Sequence, residues 1–248
     1  MRYDDKTINS VTELIDNLKN DIPSHSNHIW FRGQANQEWK LIPTLGRKKK
    51  FSPEKENYLI KRFRQNATQL VSYSHHSKWD WLLTMQHHGV PTRLLDWSEN
   101  ALIGLYFAVC EKPKYDGAFW ILLPSLLNKN SNIEPNYSVD IPSFDDPILD
   151  NYSTSNLVRE TTSHLDPIAV IVPRINPRIQ AQLGVFTLMH RDPKPIEEVG
   201  DGEHIWRYII PSGSKKNIIK ELKILGINKF SLFPELSSIG EILREEIK

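Results

Sequence analysis

NALIGLYFAVCEKPKYDGAFWILL, residues 100–123, is where the chain changes its period. The stretch from Asn100 to Val109 is apolar on nearly every side, which predicts a buried helix capped by Ser98 and Glu99. Past Glu111 the pattern becomes that of a strand buried on both faces, Gly117 to Leu123. Upstream the signals are helical. Ser10 to Glu13 reads as a capping box, Ser52-Pro53 as an N-cap followed by Pro at the first helical position, and Ser77 as a third start that runs to Gly89. His28 to Phe31 is a short β-favouring run. Downstream come strands at 168–172 (IAVIV), 184–189 (GVFTLM) and 205–210 (IWRYII), then helices from Ser214 to Gly226 and after Pro234. The expectation is one α+β domain over residues 1–248, helix-rich in its first half and strand-rich in its second, around one cleft. Residues 128–156 are polar and Pro-rich and read as a long loop or insertion.

Composition narrows the class. Apolar residues at 39% and charged residues at 25% of 248 exclude a disordered or collagen-like chain. No run of roughly 18 apolar residues occurs, so no transmembrane helix and no membrane partner are expected. MRYDDKTINS carries no apolar export signal and Cys110 is the only cysteine, which makes the cytoplasm the expected compartment. Lys plus Arg number 31 and Asp plus Glu 30, so a whole-protein footprint for nucleic acid is absent. A local basic block remains: Arg47, Lys48, Lys49 and Lys50, followed by Lys55, Lys61, Arg62 and Arg64. It reads either as a nucleic-acid contact or as a solvated face balanced by Glu54 and Glu56.

Three stretches carry chemistry. Phe31-Arg32-Gly33-Gln34 puts a guanidinium fork at a strand end, and Gly33 would admit a ligand close to the backbone. Taken alone, the tetrapeptide fits a salt-bridged Arg better. Residues 86–98, QHHGVPTRLLDWS, place two His, an Arg, an Asp and a Ser on the connection between two apolar helices. Singly, Arg93 could pair with Asp96, and Ser98 or Asp96 could cap the next helix. Gln180 and Gln182 precede an apolar strand and could orient a hydroxyl or amide, or simply bond a turn. His75-His76 and His87-His88 lack the companions of a metal motif, so no metal is expected.

Together, Trp30 to Gln34, the 86–98 string, Ala101-Leu102 with Leu105 to Ala108, and Gln182 to Phe186 resemble the FRG domain family over roughly residues 25–190. The order of motifs is also similar to that of ADP-ribosyltransferases, which surround one NAD site with three separated elements. That likeness implies NAD as substrate and an ADP-ribosyltransferase-like fold. It implies Arg32, His87, Asp96 and Gln182 as catalytic groups, and Arg32, Gly33, Gln34, Thr92, Arg93, Trp97, Ser98 and Tyr106 around the dinucleotide, with Trp97 or Tyr106 stacking on nicotinamide. The implied function is transfer of ADP-ribose to a macromolecular acceptor, nucleic acid before protein, by a toxin with an antitoxin partner or a phage-defence role. The sequence departs from the transferase pattern in one respect: Gln stands at the third element where a Glu is usual, so Asp96 or His87 would supply the base, with Glu203 a further candidate outside any motif. The alternative is a non-catalytic module that binds a nucleotide or a partner in the same cleft.

Overall fold

Neighbouring side chains in a strand point to opposite faces, so a strand that is apolar at every position needs a layer on each side. Gly117–Leu122 is such a strand: Phe119 and Ile121 enter one core, Trp120 and Leu122 another. The computed structural model, which describes residues 2–24, 26–48, 51–71, 77–131, 133, 140–144 and 146–247, builds a mixed sheet around it.

In chain order the elements begin with β1 (Lys6–Thr7), α1 (Val11–Asp21), β2 (Trp30–Gln34), α2 (Pro53–Ala67) and α3 (Lys78–His87). Then follow β3 (Leu94–Ser98), α4 (Ala101–Val109), β4 (Gly117–Leu122), α5 (Pro124–Asn130) and α6 (Thr154–Arg159). The rest are β5 (Ile168–Val170), α7 (Pro177–Ala181), β6 (Gly184–Leu188), β7 (Ile205–Ile210), α8 (Lys215–Ile224), α9 (Lys229–Leu232) and α10 (Leu236–Glu246). The sheet runs β1-β7-β4-β2-β3-β6-β5, with β1 parallel to β7 and every other pair antiparallel. It takes strands from both halves of the chain, which makes one α+β unit. α1, α4 and α8 cover one face through Leu14, Leu105 and Ile218. Leu41, Leu127 and Val199 close the other. A third core joins α3 to β5 and β6 through Leu82, Leu83 and Phe186.

Ser10, Ser52 and Ser77 cap α1, α2 and α3 as their sequence positions predict, each hydroxyl accepting a backbone N–H three residues on. Three expectations are corrected. Leu94–Ser98 is a central strand and not a connection. Leu94 and Leu95 are both buried beside an exposed Asp96, so the two-residue alternation that announces a strand is missing. The α4 cap is Asn100, whose Oδ1 accepts from Leu102 N at 2.8 Å, and not Ser98-Glu99. Within 128–156, the described residues 147–152 form a 3-10 turn that leads into α6, and Ile148, Leu149 and Tyr152 are buried, so this part is core and not loop.

Arg93 is the largest correction to the binding set. It is 0% exposed, and its Nε meets Glu56 Oε2 at 2.7 Å, with Glu56 also 0% exposed. Its two NH groups donate to the Met189 carbonyl at 2.7 Å and the Tyr152 carbonyl at 2.8 Å. Thr154 donates to the same Glu56 oxygen at 2.8 Å. This ion pair fastens α2, the start of β3, the residue after β6 and the turn before α6 to one another. No dinucleotide can reach it, and it leaves Asp96 without Arg93 as a partner.

Candidate functional site

β2 pairs with β4 at all five residues but with β3 only at Phe31↔Ser98. β3 pairs fully with β6 on its other side. The two central strands therefore part after one rung, and the gap between them is a cleft of about 230 Å³. Helix α4 sits directly on β2 beside it. A Cβ at Gly33 would lie 2.1 Å from the Gly104 carbonyl oxygen and 2.2 Å from Ala108 N. Gly33 thus serves helix–strand contact, and its backbone also lines the cleft.

Arg32 crosses the gap. One of its NH groups donates to the Asp96 carbonyl on β3, while its Nε is buried with no partner. Burial brings this guanidinium down to about 10, partly offset by the Asp96 carboxylate and reinforced by Arg47. A buried guanidinium N–H without an acceptor is uncommon, and the fork of such a group suits an anionic oxygen. Arg47 and Arg178 line the same cleft, as do the carboxylates of Asp96 and Glu111. Arg47 Nε donates to the Ile42 carbonyl at 2.8 Å. The Arg178 guanidinium carbon lies 4.6 Å from the Phe233 ring centroid. Trp39, 38% exposed, and Phe107 supply apolar surface.

A chain of hydrogen bonds aims Asp96. Thr92, fully buried, donates its hydroxyl to Gln86 Oε1, and Gln86 Nε2 donates to Asp96 Oδ2 at 2.9 Å. Thr92 is therefore a positioning residue and does not face the cleft. His87 lies in an adjoining crevice of about 30 Å³ with Gln86, Asp96, Arg178 and Gln182. Burial, then the neighbouring His88 and Arg178, lower its pKa against an opposing Glu235, so the ring is neutral at pH 7. Its Nδ1 is buried without a partner.

The other expected residues divide as follows. Gln182 reaches the cleft wall, but its Nε2 donates to the Leu232 carbonyl at 3.1 Å. Ser98 also lines the wall, with its hydroxyl donated to the Gln182 carbonyl at 2.7 Å and accepting from Asn100 N at 3.0 Å. Gln34 is buried and bonded to the Trp120 indole N–H at 2.9 Å, so it fixes the sheet. Trp97 turns the other way from Asp96, as its neighbour on a strand must, and donates its indole N–H to Thr187 at 3.1 Å. Tyr106 lies on a separate groove beside α8, while Phe107, about 100° further round the helix, meets the cleft. Trp97 borders both the cleft and the crevice but is only 3% exposed, which leaves it little open face for stacking, and Tyr106 is not among the cleft-lining residues. Of the basic block, Arg47 belongs to the cleft and Lys48 is exposed; Lys49 and Lys50 lie outside the described residues, as do His75 and His76. Arg178, Glu111 and Trp39 were not singled out by sequence reasoning. Arg178 is in the same short run as Gln180 and Gln182, where its charge was the available signal.

Among the described residues no group of three or more His, Cys, Asp or Glu side chains is placed to hold a metal ion. Among the same residues no helix is long and apolar enough to cross a membrane. No curated protein and no solved structure matches the chain. The FRG domain family model matches residues 27–117, which span β2 to the first residue of β4 and so include both walls of the gap. Over residues 27–117 the chain is similar to the FRG domain family.

Proposed function

We propose that the cleft takes NAD and that the chain transfers ADP-ribose to a macromolecular acceptor, nucleic acid in preference to protein, as ADP-ribosyltransferases do. The observation that carries this reading is the buried, unpartnered Nε of Arg32 at the gap between β2 and β3, with Arg47 and Arg178 lining the same cleft. A pyrophosphate offers several anionic oxygens, and guanidinium forks suit them. A cleft of about 230 Å³ is smaller than the roughly 300–1,000 Å³ of a full ligand pocket. It suits the nicotinamide ribose end, with the adenylate end lying over the rim at Trp39.

In this reading the bond from the ribose C1′ to the nicotinamide nitrogen breaks, and nicotinamide leaves with the electron pair. Asp96, held by Gln86, stabilises the positive charge that develops on the ribose. The acceptor atom then bonds to C1′ and gives its proton to His87, which is neutral and able to receive it. Such chemistry inside the producing cell fits a cytoplasmic toxin restrained by an antitoxin protein, or a phage-defence role. A second reading, a non-catalytic nucleotide-binding module, is favoured by the Gln182 amide already bonded to Leu232.

The test is incubation with adenylate-labelled NAD and total cellular RNA, DNA and protein. The expected result is label on nucleic acid, with an acid limb in kcat/KM lying below the ordinary imidazole range, as the lowered pKa of His87 requires, that His87→Gln removes, because protonating His87 takes away the base. Label on protein would change the acceptor class. NAD bound but never consumed would establish the binding module.

A further inference from the structure

The sequence leaves the basic block from Arg47 to Arg64 open to two readings, and the fate of Glu56 removes one of the two carboxylates that would balance it. Glu56 is turned inward and paired with Arg93, so it neutralises nothing outside. The outer surface of α2 keeps Lys55, Lys61, Arg62 and Arg64 against the single carboxylate of Glu54. Two of those cations, Lys61 and Arg64, enter a groove of about 150 Å³ between α2, α3 and α6, where Lys78 joins them. Lys78 donates one N–H to the Ser155 hydroxyl at 2.7 Å and keeps two more. No carboxylate lines this groove among the described residues. Trp79 forms part of its wall, half-buried and braced by Phe144, whose ring is stacked 4.8 Å away. Tyr58, 61% exposed, lies one turn before Lys61 and Arg62 on the same helix.

We propose that this groove is a second binding site, separate from the Arg32 cleft, and that it holds the phosphates of a single-stranded nucleic acid. Cations along a groove with an aromatic ring, Trp79, in its wall and a second, Tyr58, exposed on α2 outside it are what a strand requires: charge for the backbone and flat surface for the bases. A lone phosphate would need neither the continued charge along α2 nor the rings. The helix α3 links the two sites. Lys78 at its start borders the groove and His87 at its end borders the cleft crevice, a helix rise of about 13 Å. That distance falls within the span of roughly 4–16 nucleotides that a strand-binding site covers. The proposal deepens the reading of nucleic acid as acceptor and rests on it only for the purpose of the strand, not for its binding.

The test is binding of a fluorescein-labelled oligouridine RNA of about twelve nucleotides to the full chain, followed by anisotropy over a salt series without NAD. The comparison is the triple variant Lys61→Gln, Arg64→Gln, Lys78→Gln, with its melting temperature measured alongside. Wild type is expected to bind, and the variant to bind at least about tenfold more weakly, with a log–log salt slope shallower by about 2. Trp79→Leu is expected to weaken binding about fivefold or more. RNA affinity unchanged in the triple variant overturns the proposal. So does complete displacement by inorganic phosphate at the same ionic strength, which would make this a single-anion site. Tighter binding of a phosphoserine peptide than of the RNA would reassign the groove to protein. Because NAD is absent, a failure here leaves the transferase reading standing, and loss of NAD cleavage would leave this one standing.

Discussion

Glu56→Ala is expected to cost about 3–5 kcal/mol, because it leaves the Arg93 guanidinium buried without its counter-charge. Both members of the pair are 0% exposed, so water cannot make up the loss. Arg93 would keep its carbonyl acceptors at Met189 and Tyr152, which moderate the penalty but carry no full negative charge. Thr154 would lose its acceptor as well. For a chain of this size the loss corresponds to a fall in melting temperature of roughly 10 °C. The double variant Glu56→Met, Arg93→Met removes both charges together and is expected to recover most of the loss, since an apolar pair needs no counter-charge. A single variant that melts with the wild type would show that the pair contributes nothing. Thermal unfolding of the three proteins decides it.

Gly33→Ala is expected to be comparably damaging for a different reason. The new methyl group would lie about 2 Å from backbone atoms of Gly104 and Ala108, and backbone cannot rotate away as a side chain can. β2 must then lift off α4, at a cost of about 3 kcal/mol or more, the upper end of overpacking penalties. The damage reaches the cleft, because Arg32 is the preceding residue. Gly104→Ala is the control: its nearest atoms would be Phe31 Cβ at 2.9 Å and Phe119 Cε2 at 3.1 Å. Some give is available there, and a smaller loss is expected. If Gly33→Ala expressed, melted and bound ligands as wild type, the close β2–α4 packing would not hold.

Much of the architecture was legible in local chemistry. Ser-initiated helices and the all-apolar strand at 117–122 follow from capping and periodicity, which act within a few residues. The central strand β3 was not legible. Its burial is set by β6 on one side and by separation from β2 on the other, both long-range, and Asp96 and Ser98 made it look like a loop. The same limit applies to the site. Arg32 and Asp96 stand out because their motifs are distinctive, and both line the cleft. Thr92 and Arg93 stood in an equally distinctive motif but are fully buried away from the cleft, while Gln34 and Trp97 border it with side chains bonded to Trp120 and Thr187; a residue's type does not state which face of a strand it occupies. Arg178 was missed because only the fold of α7 brings it to the gap. Glu56 shows the effect most simply: a carboxylate among exposed cations on paper, it is the buried partner of an arginine 37 residues away.

The central claim is that the gap between β2 and β3 is a dinucleotide site with Arg32 as its anion contact. Calorimetric titration of NAD into wild type and Arg32→Gln tests it most directly, since it needs neither turnover nor an acceptor. The shorter amide removes the charge and does not reach the Asp96 carbonyl that the terminal NH of Arg32 meets, so melting temperature is measured alongside; the fold should persist while Kd rises at least tenfold. Equal affinity in the two proteins, or no binding to wild type, would contradict the account.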